Sequence, residues 1–243
     1  MTTAIKHREG SVSPELAAAN IPDAIKKIYA HRGVQRLDEI SLPLNQLLSP
    51  AALLGAQEAA EMLADAIEFQ VSVVIVGDFD ADGATSCALA VSLLKQMGLE
   101  EVYYLVPNRF EYGYGLTPEI VGIAAQYQPD VLVTVDNGIA SIDGVSAARQ
   151  LGMSVIITDH HLPGEVLPEA DIIVNPNQPG CRFPSKALAG VGVMFYVLTA
   201  LRAELRSRGW FESMNIEIPN LATCMEVDVF AVRKDEPSTS TPD

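Results

Sequence analysis

Four consecutive β-branched residues, Val73-Val74-Ile75-Val76, run into Gly77 and then into Asp78-Phe79-Asp80-Ala81-Asp82-Gly83. An apolar run without polar alternation is the pattern of a strand buried on both faces, and such strands belong to parallel sheets covered by helices on either side. Two more runs of this kind follow: Val131-Leu132-Val133-Thr134-Val135, leading into Asp136-Asn137-Gly138, and Val155-Ile156-Ile157-Thr158, leading into Asp159-His160-His161. In a parallel sheet all three polar endings fall at one edge, where ligands bind in open α/β folds.

The remaining pattern agrees. Strand-like runs at 71–77, 101–106, 130–135, 153–158 and 171–174 alternate with helical composition at 83–97, 117–127 and 141–151. The second of these helices opens on Thr117-Pro118-Glu119, an N-cap followed by proline at the first helical position. A further helix is expected at 55–69, and a long one at 187–208 that stops at Gly209. The expected fold class is α/β, a doubly wound parallel sheet of about five strands. Residues 1–54, with Pro14, Pro22, Pro43 and Pro50 among short helical patterns such as 24–30, form an N-terminal helical arm expected to clasp the main lobe, 55–221. Residues 222–243 are polar and rich in Pro, Ser and Thr at their end, and are expected to be disordered.

Composition narrows the setting. No apolar segment approaches the ~20 residues of a membrane span, and residues 1–10 hold no signal-peptide core, so the expected location is cytoplasmic. Cys87, Cys181 and Cys224 make neither an even disulfide set nor a close-spaced zinc motif, and read as reduced thiols. The formal net charge of −15 argues against nucleic acid as a partner, except that many of the acids can serve as metal ligands or solvated helix faces.

Three alternate carboxylates at the end of a buried strand repel one another and cost desolvation, which a divalent cation relieves. The competing readings are a polar turn with an N-capping Asp, or a phosphate-cradling glycine loop for which only Gly77 and Gly83 are at hand. Asp136-Asn137-Gly138 taken alone is equally a simple turn. Asp159-His160-His161 supplies one imidazole as ligand, one as phosphate contact or acid, and a carboxylate to orient them. Oxygen ligands with one nitrogen favour Mn²⁺ or Mg²⁺ over structural zinc. In Pro107-Asn108-Arg109-Phe110-Glu111-Tyr112-Gly113-Tyr114-Gly115-Leu116, either a surface loop or a substrate contact, Arg109 can grip a phosphate while Tyr112 or Tyr114 offers a stacking face. Asn175-Pro176-Asn177 and Phe183-Pro184-Ser185-Lys186 add polar groups near the fifth strand end, with Lys186 either a phosphate ligand or a solvated charge.

On these residues the chain resembles the DHH phosphoesterase superfamily, with Asp159-His160-His161 as the signature and the Asp78 to Gly83 and Asp136 segments as its first two motifs. Within it, the Arg109 loop, Tyr112-Gly113-Tyr114-Gly115-Leu116 and Phe183-Pro184-Ser185-Lys186 are similar to the bacterial single-strand-specific DNA exonucleases. The resemblance implies two-metal phosphodiester hydrolysis from a 5′ end, in DNA repair and recombination, with two Mn²⁺ or Mg²⁺ ions. It implies Asp80 on one ion, Asp82 and His160 on the other, and Asp136 between them, with Asp78 and Asp159 supporting and His161 at the phosphate. Arg109, Tyr114, Ser185 and Lys186 are the implied substrate contacts; the implied partners are single-stranded DNA and a single-strand-binding protein or helicase, and no membrane. In those exonucleases the pattern continues after the Pro219-Asn220-Leu221 equivalent through an apolar helix to a fourth metal-binding Asp and a second lobe, whereas residues 224–232 depart from that helix and the sequence stops at Asp243. The expectation is therefore a first lobe with an altered, truncated C-terminus, in which Asp235 stands near the count of the fourth Asp. Two rivals remain: a phosphodiesterase for short oligonucleotides or dinucleotides, and a metal-binding remnant without turnover.

Overall fold

A computed structural model describes residues 10–40 and 47–221, the side chain of Arg109 excepted. The expectations for 222–243, including Cys224 and Asp235, lie outside the described residues. The chain divides into two units, Met1–Leu48 and Ser49–Asp243. In the first, α1 (Pro14–Ala18) is capped by the Ser13 side chain, which accepts from Leu16 N, and α2 (Asp23–His31) follows. The Glu15 carboxylate accepts from Leu37 N at 2.9 Å and ties the end of this unit to α1.

The second unit begins with α3 (Ala56–Phe69) and carries five parallel strands, β1 (Val73–Gly77), β2 (Val102–Leu105), β3 (Val131–Val135), β4 (Ser154–Thr158) and β5 (Ile172–Val174). Their order across the sheet is β2-β1-β3-β4-β5. Between them run α4 (Ala81–Gln96), the short α5 (Arg109–Tyr112), α6 (Pro118–Ala124) and α7 (Ile142–Gln150); α8 (Gly190–Ser207) and α9 (Trp210–Met214) follow the last strand.

The unbroken apolar runs divide their side chains between two cores. Val73, Ile75, Val131, Val133, Val135 and Ile156 pack with α3, α4 and α8, while Val74, Val76, Leu132, Val155 and Ile157 pack with α6 and α7. The strand period of two sends alternate residues to opposite faces, so a continuous run is what a sheet covered on both sides needs. The Arg208 guanidinium, reaching Asp65, Glu68 and Glu204, adds a polar tie between α3 and the end of α8.

The sequence places every strand within a residue or two of its observed bounds. The helix expected from 83 starts at Ala81 because Asp80 caps it, and the long one expected from 187 starts at Gly190. The loop after β2, open between surface loop and substrate contact, contains the turn α5. Among the described residues no helix is long and apolar enough to cross a membrane, and Cys87 and Cys181 are free thiols. β1 and β3 are neighbours at the point where the chain, having stepped to β2 on one side, returns to build β3 on the other. Their carboxyl ends open the crevice in which ligands bind in sheets of this order.

Candidate metal centre

β1 delivers Asp78, buried, with its Oδ1 accepting from Phe79 N at 2.7 Å. Asp80 follows in extended conformation as the N-cap of α4, its Oδ1 accepting from Asp82 N at 2.9 Å and Gly83 N at 3.0 Å. Gly83 has no substitute here, because a Cβ would stand 2.6 Å from Asp78 C and 2.7 Å from Asp78 N. The first turn of α4 is thus laid against the backbone that carries Asp78.

β3 delivers Asp136, which is 2% exposed and has φ 62°, the left-handed region that non-glycine residues rarely enter. Its buried Oδ1 accepts no hydrogen bond. His160 Nε2 stands 3.1 Å from that atom, close but not aligned as a donor. Burial first, and then the charges of Asp82 and Asp80, push the Asp136 carboxyl up to about 7. Donor atoms of Asp78, Asp80 and Asp136 lie within 4.8 Å of one another, and so do those of Asp136, His160 and His161. Asp136 belongs to both groups, and a buried acceptor left without a partner inside such a set is the demand a cation meets.

β4 delivers Asp159, whose carboxylate serves four donors: Oδ1 takes His160 N at 2.7 Å, His161 N at 3.0 Å and His161 Nδ1 at 2.7 Å, and Oδ2 takes Ile139 N at 2.9 Å. These bonds fix both histidines. His161 gives Nδ1 to Asp159, so Nε2 faces outward, 3.1 Å from the Tyr114 hydroxyl. Burial opposes charge on His161, but the Asp159 hydrogen bond and carboxylate outweigh it, and its pKa is raised. Burial, with Asp159 and Asp78 next, pushes the Tyr114 phenol up, so it remains a neutral donor.

The structure distributes the remaining expected residues differently. Both oxygens of Asp82 are occupied, Oδ2 by Gly190 N and Oδ1 by Val191 N, each at 2.7 Å, although Oδ2 is also 3.7 Å from His160 Nε2. Lys186 Nζ donates to Pro176 O and to Cys181 O, bracing its own loop, on which half-buried Ser185 also lies. Arg109 opens α5, and Phe110 beside it is 91% exposed. Tyr114, Leu116, Ser141, Asp159, His161 and Leu162 line a cleft of about 720 Å³ beside the carboxylates.

Sequence reasoning missed three asparagines and a glycine. Asn137, read as part of a turn, donates Nδ2 to Val76 O and Val135 O and so clips the ends of β1 and β3 together. Asn175 and Asn177, read only as polar groups, hold His161 O and His160 O at 3.0 and 2.6 Å. Gly190 touches Asp136 so closely that a Cβ would fall 2.7 Å from Asp136 Cβ and Cγ. The signal for the asparagines was present in their place directly after strands β3 and β5; that for Gly190 was not, since its neighbour is remote in sequence.

The sequence pattern of the DHH family, N-terminal domain, matches residues 72–226. The single-stranded-DNA-specific exonuclease RecJ of Dickeya dadantii is 52% identical over 208 residues, which are 86% of this chain and 36% of that protein. The RecJ of Escherichia coli is 48% identical over 223 residues, 92% of this chain and 38% of its own length. Among solved structures, exonuclease RecJ bound to manganese superposes with a TM-score of 0.59 at 32% identity, over 71% of this chain and 41% of that one. The chain thus spans little more than a third of the length of the curated relatives it matches. With the family pattern running from β1 to the end of the described residues, and with its carboxylates and histidines gathered at three adjacent strand ends, the chain belongs to the DHH family.

Proposed function

We propose that this chain is the metal-binding lobe of an exonuclease that hydrolyses single-stranded DNA from its 5′ end with Mn²⁺ or Mg²⁺. The observation that carries the reading is the buried Asp136 Oδ1, which accepts no hydrogen bond although Asp136 is shared between the Asp78–Asp80 group and the histidine group. The fit favours Asp78, Asp80 and Asp136 for one ion and Asp136 with His160 for the other. Asp82, with Oδ2 3.7 Å from His160 Nε2, joins His160 at the second ion, each of its oxygens keeping a lone pair beside the amide it accepts. Divalent ions held there would supply Lewis-acid activation of water and of the phosphate oxygens.

The chain's own groups do the rest. Asp159 holds His161 with Nε2 outward, and its carboxylate favours the protonated ring, so His161 offers a positive N–H to a phosphate oxygen beside the ions. The Tyr114 hydroxyl oxygen, 3.1 Å from that Nε2, accepts the N–H until a phosphate oxygen replaces it, and exposed Phe110 presents a surface on which an unpaired base can stack. Arg109 is the phosphate grip in this proposal. The relatives that match are single-stranded-DNA-specific exonucleases, which disfavours a dinucleotide phosphodiesterase. On the same reading the chain works in the cytoplasm in repair and recombination, with a single-strand-binding protein or helicase presenting the strand.

The test is direct. The purified chain is incubated with Mn²⁺ and end-labelled oligonucleotides, single-stranded and duplex. Stepwise release from the 5′ end of the single strand is expected, and preferential cleavage of duplex refutes the assignment. Mn²⁺ binding without any cleavage would make the chain a metal-binding lobe that needs further parts for turnover.

A further inference from the structure

We infer that the cleft between the start of α7 and the loop after β4 is a seat for a nucleobase, receiving the base of a nucleotide whose phosphate lies at His161. The inference rests on the nuclease reading above and names the part of the strand that enters this cleft. His161 and Asp159 bring the cleft to the metal centre, since donor atoms of His161, His160 and Asp136 lie within 4.8 Å of one another. The other walls include Leu116, Ile139, Ile142 and Leu162. At about 720 Å³ the cleft has the size in which small organic ligands are held, and a base with its sugar is of that class.

The charge pattern selects the ligand. Among the described residues that line the cleft there is no lysine or arginine, and the group able to carry positive charge is His161, at the metal centre. A phosphate therefore has its partner at that end alone, and the remainder suits a flat, uncharged group. The apolar lining is left in water at the mouth, where Leu162 is 80% exposed and Ile142 45%. Apolar side chains exposed around a cleft beside reactive groups are the pattern of a ligand site. Ser141 can meet the edge of a base: its Oγ accepts from Leu116 N at 3.0 Å, which leaves the hydroxyl hydrogen to donate. Every base carries an edge acceptor, so apolar walls with one hydroxyl hold a base without choosing among the four. The seat is also formed in advance. The Ser141 bond ties the start of α7 to Leu116, and Gly144 closes the same contact, because a Cβ there would stand 2.6 Å from Leu116 C.

The intact chain, loaded with Mg²⁺, is titrated with inorganic phosphate, 2-deoxyribose 5-phosphate, and deoxyadenosine 5′- and 3′-monophosphate, and backbone amide shifts are followed by NMR. The better of the two nucleotides is expected to bind ~5–100-fold tighter than the sugar phosphate, the span that one stacked base gives. It should shift the amides of Ala140, Ile142 and Leu162, which the sugar phosphate leaves in place, and its phosphate position tells on which side of the attacked bond the base lies. A variant carrying Ile142→Ala and Leu162→Ala together should lose most of that advantage and keep its binding of inorganic phosphate. Both side chains are exposed, so their truncation spares the core. The inference is overturned if neither nucleotide binds tighter than the sugar phosphate, if their shifts bypass the cleft, or if the double variant keeps the full advantage. Inorganic phosphate separates the two readings. Its failure to bind with Mg²⁺ would end the metal reading and this inference with it, whereas phosphate binding without any advantage for the base sinks the seat alone.

Discussion

Replacing Asp136 by asparagine should stabilise the metal-free protein while removing its response to metal. Burial and the neighbouring Asp82 and Asp80 hold the folded-state carboxyl near 7, against 3.8 for the ordinary group. The folded value is the higher one, so stability is complete below about pH 4, falls as the pH rises towards 7, and is level above that. At about 1.4 kcal/mol for each tenfold step, the full cost at pH 8 has a ceiling of ~4 kcal/mol. Asp80 is exposed and Asp82 half-buried, so solvent softens their repulsion and ~2 kcal/mol is the working figure. Asparagine removes the charge and tolerates the left-handed backbone at this position. The variant should therefore melt ~4–8 °C above the parent at pH 8 without metal. About half of that gain should vanish at pH 4.5, where the folded parent's carboxyl is neutral while the unfolded one is still mostly ionised. Saturating Mn²⁺ should reverse the order at pH 8, because only the parent gains by mass action. Thermal melts at the two pH values, with and without Mn²⁺, make the test. An equal gain at both pH values, or none at pH 8, refutes the account of Asp136 as a repelled carboxylate awaiting a cation.

Asp159→Ala should lower single-strand cleavage ~10²-fold or more in single-turnover assays, because His161 loses the acceptor that fixes its tautomer; an unchanged rate would show that its orientation is set elsewhere. Phe110→Ala should weaken single-stranded DNA binding by ~1–3 kcal/mol in fluorescence anisotropy, the worth of one stacked base, and parent-like affinity would remove Phe110 from the strand's path. Lys186→Ala should cost ~1 kcal/mol of stability through its lost loop bonds and leave the salt dependence of DNA binding unaltered; a shallower salt slope would return Lys186 to a phosphate.

The strands were legible because their pattern is extreme. A sheet covered on both faces requires uninterrupted apolar residues, and the Val73, Val131 and Val155 runs have no other economical use. Their polar endings were legible for the same reason, since topology alone brings the ends of β1, β3 and β4 to one edge. What the sequence does not carry is the division of labour among carboxylates a few residues apart. Asp78, Asp80 and Asp82 are alike by type, and nothing in their spacing tells that α8 arrives at Asp82 and gives it two amides. Lys186 shows the same limit: read as either a phosphate ligand or a solvated charge, it spans two carbonyls of its own loop, which its place in the sequence does not announce. Local order is written in periodicity, whereas partners far apart in sequence are chosen by packing.

Asn137 tests whether the two strand ends must be fixed to each other for the centre to form. Its Nδ2 joins Val76 O of β1, two residues before Asp78, to Val135 O of β3, one residue before Asp136, so it sets the spacing from which those two carboxylates depart. Asn137→Ala should leave buried carbonyls short of a donor at a cost of ~1–3 kcal/mol. Asn137→Asp keeps the shape but turns an acceptor toward those carbonyls and adds a negative charge beside Asp136. At pH 8 an uncompensated buried charge costs ~3–5 kcal/mol, so the Asp variant should melt below the Ala variant. At pH 4.5 the new carboxyl can be neutral and donate once, and the gap between the two variants should close. Both should bind Mn²⁺ more weakly than the parent, because the ligands on β1 and β3 no longer keep one separation. If Asn137→Asp is as stable as Asn137→Ala at pH 8, or if either variant binds Mn²⁺ like the parent, the strand ends hold their spacing without this clip and the sheet ladder alone positions the ligands.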